Sequence, residues 1–179
     1  AAPELRDSYL ACGDLALEKG DSALAAKTFA NATKKFPEDA EAWYGLARAY
    51  FDYESDGLQV HAFVDIPDGQ GPFPVVLVLH GYIDPQVYNT LTYTAHYAND
   101  FARRGFVAVH PNYRNYPPSD LGPNLFRVGY AADVLNLAAL IRAQAGQPGP
   151  FERAEGEAVG LFGPSPGGGI ALRAVTAGG

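Results

Sequence analysis

Hydrophobic positions follow two different periods along this 179-residue chain, and the period changes near residue 53. Residues 4 to about 53 are rich in alanine and carry apolar side chains at helical spacing. From Leu58 to Ile66, every second position is apolar, as in a strand with one buried face. The pattern predicts helices within residues 1–53 and a separate domain at residues 54–179.

The second domain is predicted to alternate strands with helices. Val75–Leu79 and Phe106–Val109 are short, continuously apolar runs, which are typical of strands covered on both faces. Helical patterns follow at residues 92–104 and 127–145, and another apolar run, Ala158–Phe162, precedes a small, helix-compatible segment. Strands that alternate with helices favour a mostly parallel, doubly wound sheet. The predicted class is therefore α/β.

The alanine-rich segment contains a pattern that repeats after 34 residues. Its positions match the opening, the centre and the closing proline of a helical repeat: Tyr9, Cys12, Gly13 and Ala16; Ala25, Phe29, Ala32 and Pro37; Trp43, Leu46, Ala47 and Tyr50. The segment resembles one complete tetratricopeptide repeat plus the first helix of a second. An ordinary helical hairpin packed on the next domain explains the pattern equally well, because an independent solenoid normally needs three repeats.

Composition narrows the class of partner. Hydrophobic residues make up 47% of the chain and charged residues 18%, so the chain can bury a sizeable core. A formal net charge of −7 argues against nucleic acid and anionic membranes, and no apolar run reaches the length of a membrane span. The single cysteine, Cys12, excludes an intrachain disulfide and leaves both an exported and a cytoplasmic location open. Since the chain contains no methionine, we expect that Ala1 is not a translation start.

Residues 163–167 read Gly-Pro-Ser-Pro-Gly, which has the G-x-S-x-G outline of a serine hydrolase nucleophile turn. The predicted strand before the turn and the helical segment after it supply the context that this motif requires. Ser165 is the candidate nucleophile, because a tight turn between strand and helix points its hydroxyl away from the backbone. Gly163 and Gly167 would remove side chains that collide across the turn.

Three segments together resemble the α/β-hydrolase superfamily, in particular its dienelactone-hydrolase and prolyl-oligopeptidase-like branch: residues 74–82, residues 105–114 and residues 159–172. The resemblance covers residues 53–177 and implies the N-terminal part of a doubly wound α/β-hydrolase sheet. It implies hydrolysis of a small ester or peptide without a cofactor or metal. It also implies that His80 and Gly81 are structural turn residues and that the backbone N–H of Tyr82 is an oxyanion donor.

The chain departs from the family pattern in two ways. The family's second oxyanion donor is the N–H of the residue after the serine, but here that residue is Pro166, which has no N–H. The acid and the histidine follow the serine in the family, whereas residues 166–179 contain no His, Asp or Glu. His61, His96 and His110 come earlier and are expected on strand or helix surfaces. We therefore expect these residues alone to be inactive or nearly so.

Two hypotheses of different class follow. In the first, the chain is part of a serine hydrolase whose acid and histidine lie downstream of Gly179. In the second, it is a non-catalytic scaffold that self-assembles or binds protein partners through its helical repeat and the exposed edge of the strand at 158–162. A third possibility is that proline is not the natural residue at positions 164 and 166.

Several residues outside these motifs are expected to pack, to face solvent or to serve the structure. Three tyrosines either line an acyl pocket or simply pack: Tyr82, Tyr88 and Tyr93. Glu155 and Glu157 are predicted to lie in a solvated turn before the last strand. The segment from Asn112 to Arg114 follows a strand and is assigned a structural role.

Overall fold

The computed structural model describes residues 3–18, 28, 31–32, 35–36, 48–90 and 93–178. The chain divides into two compact units, Ala1–Tyr50 and Phe51–Gly179. The domain boundary predicted after residue 53 falls inside a strand, β1 (Arg48–Ser55), and remains a prediction.

The first unit contains one fully described helix, α1 (Pro3–Glu18), and helical residues within 28–35. The ring of Tyr9 on α1 meets the ring of Phe36 edge to face, with 6.5 Å between centroids. Lys35 Nζ lies 5.3 Å from the centroid of the Tyr9 ring. Tyr9 therefore packs between helical segments, as the repeat pattern predicts. Several pattern positions lie outside the described residues: Ala25, Phe29, Pro37, Trp43, Leu46 and Ala47.

The helix predicted at the C-terminal end of the repeat pattern is wrong at Tyr50, which lies on β1. Burial alternates along the strand: Tyr53 and Ser55 are buried, whereas Asp52 and Glu54 are exposed. This period of two is that of a strand with one covered face. Pairing with β2 (Leu58–Asp65) then satisfies the backbone of the segment.

The sheet has five strands in the order β1-β2-β4-β3-β5. Its other strands are β3 (Phe73–Val78), β4 (Val107–Pro111) and β5 (Ala154–Phe162). Strands β3, β4 and β5 run parallel, and β2 pairs antiparallel with β4. All five residues of β4 are buried, as the continuously apolar run predicts for a central strand. The class predicted from the sequence, a mostly parallel α/β sheet, is confirmed.

Three helices connect and cover these strands: α2 (Ala95–Arg103), α3 (Val128–Gln144) and α4 (Pro166–Gly178). A short 3-10 turn, Leu125–Arg127, leads into α3. The second predicted helix, at 127–145, agrees with α3 within one residue at each end. No helix among the described residues is long and apolar enough to cross a bilayer.

Strand β5 begins earlier than predicted, so the assignment of Glu155 and Glu157 to a turn is wrong. Pro74 on β3 pairs with Glu155, but Val75 pairs with Val159, and the extra residues on β5 form an irregularity in the ladder. The bulge brings Gly156 against the end of α3, where a Cβ at this position would lie 2.9 Å from Ala145 Cβ. The sequence pattern identifies only the regular part of the strand.

Candidate functional site

A three-residue turn, residues 163–165, joins β5 to α4. Ser165 is exposed and has φ 56°, in the left-handed region that residues with a side chain rarely adopt. Two backbone hydrogen bonds hold it there: Gly167 N–H donates to the Pro164 carbonyl and Gly168 N–H donates to the Ser165 carbonyl, each at 3.0 Å. Such backbone strain costs on the order of 1–3 kcal/mol and persists only where the surroundings enforce it.

Both glycines of the turn are required by close backbone approach. A Cβ on Gly163 would lie 2.4 Å from the Gly167 carbonyl carbon. A Cβ on Gly167 would lie 2.2 Å from the Leu79 carbonyl oxygen, at the end of β3. The glycine spacing of the motif therefore allows the start of α4 to pack directly on the neighbouring strand.

The turn after β3 lies beside Ser165. Leu79 N–H donates to the Phe162 carbonyl at 2.7 Å, so the two chain segments stay paired beyond the strands. A Cβ on Gly81 would lie 3.5 Å from Ser165 Cβ. The two motifs, which are more than 80 residues apart in the sequence, thus meet at the carboxyl ends of β3 and β5, the edge at which α/β sheets bind ligands.

The His80 side chain lies close to backbone carbonyls of the turn after β3 and of the segment after β4. This side chain is buried, with Nδ1 2.7 Å from the Gly81 carbonyl oxygen and Nε2 2.9 Å from the Asn112 carbonyl oxygen. Burial lowers the pKa of His80, although the two carbonyl oxygens act in the opposite direction. The Tyr113 ring lies 4.4 Å away, centroid to centroid. The neutral imidazole donates its one N–H to one of these two carbonyls, and its buried position fits the structural role implied by the sequence.

A pocket of about 150 Å³ opens next to the two turns. Its lining combines glycine and proline from the turns, aromatic rings and a few polar groups: His80, Gly81, Tyr82, Tyr113, Tyr116, Asn124, Arg127, Tyr130, Pro166 and Ile170. Burial raises the pKa of Tyr130 to about 12, and it also raises the pKa of Tyr116. The phenols are therefore protonated at neutral pH, and the Tyr116 hydroxyl donates its proton to the Ile83 carbonyl at 3.0 Å.

One family model and several solved structures match parts of the chain. Residues 10–53 match the family model of the tetratricopeptide repeat, and the matched range ends within β1. Solved structures with a similar fold include the epoxide hydrolase VrEH1 from Vigna radiata, with 19% identity, a TM-score of 0.51, and coverage of 73% of this chain and 36% of that one. Among curated proteins, no sequence matches the chain.

Two further solved structures agree in fold. Est1E from Butyrivibrio proteoclasticus, with ferulic acid bound, has 15% identity and a TM-score of 0.54 over 72% of this chain and 47% of its own. The α/β hydrolase GrgF from Penicillium sp. sh18 has 16% identity and a TM-score of 0.56 over 71% and 40%. The second unit has the α/β-hydrolase fold. This chain spans less than half the length of each of these proteins.

Within the α/β-hydrolase unit, the expectation that His110 lies on a surface is wrong. His110 is completely buried, with Nε2 2.9 Å from the Tyr88 hydroxyl and Nδ1 hydrogen-bonded to Thr94 Oγ1. Burial lowers the pKa of His110 well below its ordinary value. The Tyr88 hydroxyl donates to Asn112 Oδ1 at 3.0 Å, which completes a buried polar network. His110 is thus held as a neutral structural group.

The three tyrosines left open by the sequence have different positions. Tyr88 belongs to the buried network, and Tyr93 stacks on it with 6.2 Å between ring centroids. Only Tyr82 of the three lines the pocket, and its side chain is 69% exposed. The role of its backbone N–H as an oxyanion donor remains a prediction.

None of the described residues supplies a base to Ser165. His61 is buried, so its expected surface position is also wrong, and its Nδ1 lies 2.8 Å from Asp52 Oδ1. His96 is exposed on α2, as expected. No group of three or more metal-ligating side chains occurs in the described part of the chain. Sequence reasoning missed Asn124, Arg127 and Tyr130 as pocket residues, because no motif marks them and only the path of the chain before α3 brings them to the pocket.

Proposed function

We propose that the α/β-hydrolase unit is the N-terminal part of a serine hydrolase that acts on a small ester or peptide. Ser165 is the nucleophile and the Tyr82 N–H is an oxyanion donor. The supporting observation is the left-handed backbone of Ser165 on a turn that packs against Gly81. The acid and the histidine would come from residues beyond Gly179, so residues 1–179 would be inactive by themselves.

The proposed chemistry is acyl transfer. Ser165 Oγ forms a bond to the substrate carbonyl carbon while its proton passes to a base, and the carbonyl electron pair moves onto oxygen. The Tyr82 N–H and the N-terminal end of α4 stabilise that oxyanion. The leaving group then departs with the proton, and water cleaves the acyl-enzyme. Pro166 removes the second backbone donor, which typically costs about 10²–10³ in turnover.

Covalent labelling of the natural protein tests this proposal. Mass spectrometry first establishes its full length. A fluorophosphonate probe then forms an Oγ–P bond with loss of fluoride, and peptide mapping locates the adduct. We expect labelling at Ser165 of the natural protein, none in a Ser165→Ala variant, and little in the isolated 179 residues. An unlabelled Ser165 in the folded natural protein would refute the hydrolase function.

A second candidate function is a non-catalytic scaffold. Its support is the tetratricopeptide match together with β5, which pairs only with β3 among the described strands. An apolar groove of about 210 Å³ runs beside β5, and Val159 and Leu161 contribute to its lining. An open strand edge beside an apolar groove is a site for strand addition from a second copy or a partner.

Sedimentation of the chain over a range of concentrations separates the two functions. A scaffold is expected to self-associate, and Val159→Glu should reduce the association because a charge on an edge strand opposes strand pairing. Gln70→Glu, in an exposed turn, is the control for added charge. A strict monomer that captures no strand-forming partner would count against the scaffold.

A further inference from the structure

Two neighbours of the candidate nucleophile, Ser165, line the adjacent pocket. Pro166 follows it in the chain, and Gly81 lies against it across the sheet. Both residues also line the pocket of about 150 Å³. A substrate whose carbonyl carbon lies at Ser165 would therefore place the group on one side of that carbonyl in this pocket.

Arg127 gives the pocket a positive charge. It is the only side chain with a formal charge at neutral pH among the described lining residues, since His80 is neutral. The charge of Arg127 lowers the pKa of Tyr116 and of Tyr130, although burial outweighs this effect and raises both. The field of the guanidinium therefore reaches the phenols of the pocket.

No carboxylate among the described residues forms an ion pair with the Arg127 guanidinium. Arg114 is paired with Asp133, Arg104 with Asp100 and Arg6 with Asp7, whereas Arg127 has no ion pair among the described residues. Its side chain is also exposed. Arg142, beside the groove at β5, likewise has no ion pair among the described residues, and Arg127 differs from it in lining the pocket next to Ser165.

The position of Arg127 does not serve the stability of α3. It lies immediately before this 17-residue helix, where the helix dipole disfavours a positive side chain. Its φ is 62°, and that of Phe126 is 51°, so two consecutive residues with side chains adopt the left-handed conformation. A guanidinium beside a helix N-terminus is, however, favourable for binding an anion, because both present N–H donors.

We propose that Arg127 binds a carboxylate carried by the substrate, which makes the site selective for acidic esters or peptides. The inference rests on the proposed function in that the substrate must react at Ser165. The side-chain NH₂ of Asn124, which also lines the pocket, would supply a neighbouring hydrogen bond.

Equilibrium binding to the full chain tests the proposal without any need for catalysis. Benzoate is titrated against uniformly ¹⁵N-labelled protein, and benzamide is the neutral probe of the same shape. We expect benzoate to bind roughly fivefold more tightly than benzamide, the ratio that corresponds to about 1 kcal/mol for an exposed ion pair. The amide shifts should centre on Gly81, Tyr82 and Tyr130.

Three variants locate the effect. Arg127→Gln should bring the ratio of the two affinities close to one, while Arg127→Lys should keep a preference for benzoate. Arg103→Gln, on the exposed end of α2, should leave the ratio unchanged. Equal affinities in the natural sequence, no binding of benzoate, or a preference that survives Arg127→Gln would overturn the proposal.

The result is distinguishable from a failure of the proposed function. If benzoate binds through Arg127 but a fluorophosphonate does not label Ser165 in the natural protein, the anion site exists and the hydrolase function is wrong. If Ser165 is labelled but benzoate and benzamide bind equally well, the hydrolase function holds and the acidic specificity is wrong.

Discussion

Arg114 and Asp133 form a buried ion pair that joins the loop after β4 to the middle of α3. Arg114 Nη2 lies 2.8 Å from Asp133 Oδ1, and the backbone N–H of Arg114 donates to Asp133 Oδ2 at 2.8 Å. Asp133 is fully buried, and Ser55 Oγ donates to its Oδ1 at 2.6 Å. The carboxylate raises the pKa of Arg114. The Asp133 carboxylate thus connects β1, the loop after β4 and α3.

Replacing Asp133 with asparagine should strongly destabilise the α/β-hydrolase unit. The substitution keeps the shape but leaves the Arg114 charge without its buried partner, and only Asp56, at 2.8 Å, still neutralises it. We expect the free energy of unfolding to fall by about 3 kcal/mol. Urea denaturation measures the change. Asp100→Asn breaks an exposed ion pair with Arg104 and should cost less than about 0.5 kcal/mol; equal effects would contradict the argument.

Gly167→Ala should separate α4 from β3. The new Cβ would lie 2.2 Å from the Leu79 carbonyl oxygen, so the backbone must move. We expect a loss of about 1–3 kcal/mol in the free energy of unfolding. Gly169→Ala is the matched control, since its Cβ would meet only Arg173 Nη1, at 3.7 Å, and alanine favours the helix by up to about 1 kcal/mol. A tolerated Gly167→Ala would show that the turn does not pack tightly on β3.

Stability should decrease as the pH falls below about 6.5. Burial lowers the pKa of His80 and of His110 in the folded chain, so the unfolded chain binds more protons in this range. The stabilisation is complete above pH 6.5 and is lost on acidification, at up to about 1.4 kcal/mol per pH unit for each histidine. Urea denaturation from pH 7.5 to 5.5 follows the slope.

His110→Gln identifies the group responsible for part of that slope. It should lower the free energy of unfolding at pH 7.5, because Thr94 and Tyr88 lose a ring partner, but it should also flatten the dependence on pH. His96→Gln removes an imidazole from an exposed position on α2 and is the control. An unchanged slope in His110→Gln would rule out a neutral, buried His110.

Pro166→Ala should accelerate labelling of Ser165 in the natural protein. Alanine restores a backbone N–H next to the nucleophile, and a single oxyanion donor is worth about 10²–10³ in rate. Pro164→Ala also removes a proline but adds its N–H before the serine, so it should have a much smaller effect. The rate of fluorophosphonate labelling measures both. Equal rates in the two variants would contradict the assignment of Pro166 to the missing donor position.

The sequence identifies the central part of the fold because it depends on local patterns. Continuous apolar runs mark β3 and β4, and the glycine spacing around Ser165 marks the turn between β5 and α4. The strand at Arg48–Ser55 is missed, since its residues also fit a helical repeat and only pairing with β2 decides between the two. Tertiary context overrides local propensity at such positions.

The site was predictable only where a motif marks it. Ser165 and Gly81 belong to motifs, and their adjacency follows from two neighbouring parallel strands. The burial of His110 depends on Thr94 and Tyr88, which no spacing rule connects to it. Arg127 enters the pocket through a left-handed backbone that the sequence does not encode in any turn residue.

The pairing of Val78 with Phe162 sets the register of β3 and β5, and with it the position of the turn that follows β5. A slip of one residue would move the start of α4 about 3.3 Å along β3 and turn alternate side chains to the opposite face. The serine would then no longer sit level with the loop that follows Leu79. The offset at residues 156–158 therefore acts as a spacer, and lengthening or shortening it should misalign Ser165 with Gly81 even if every residue of the motif were kept.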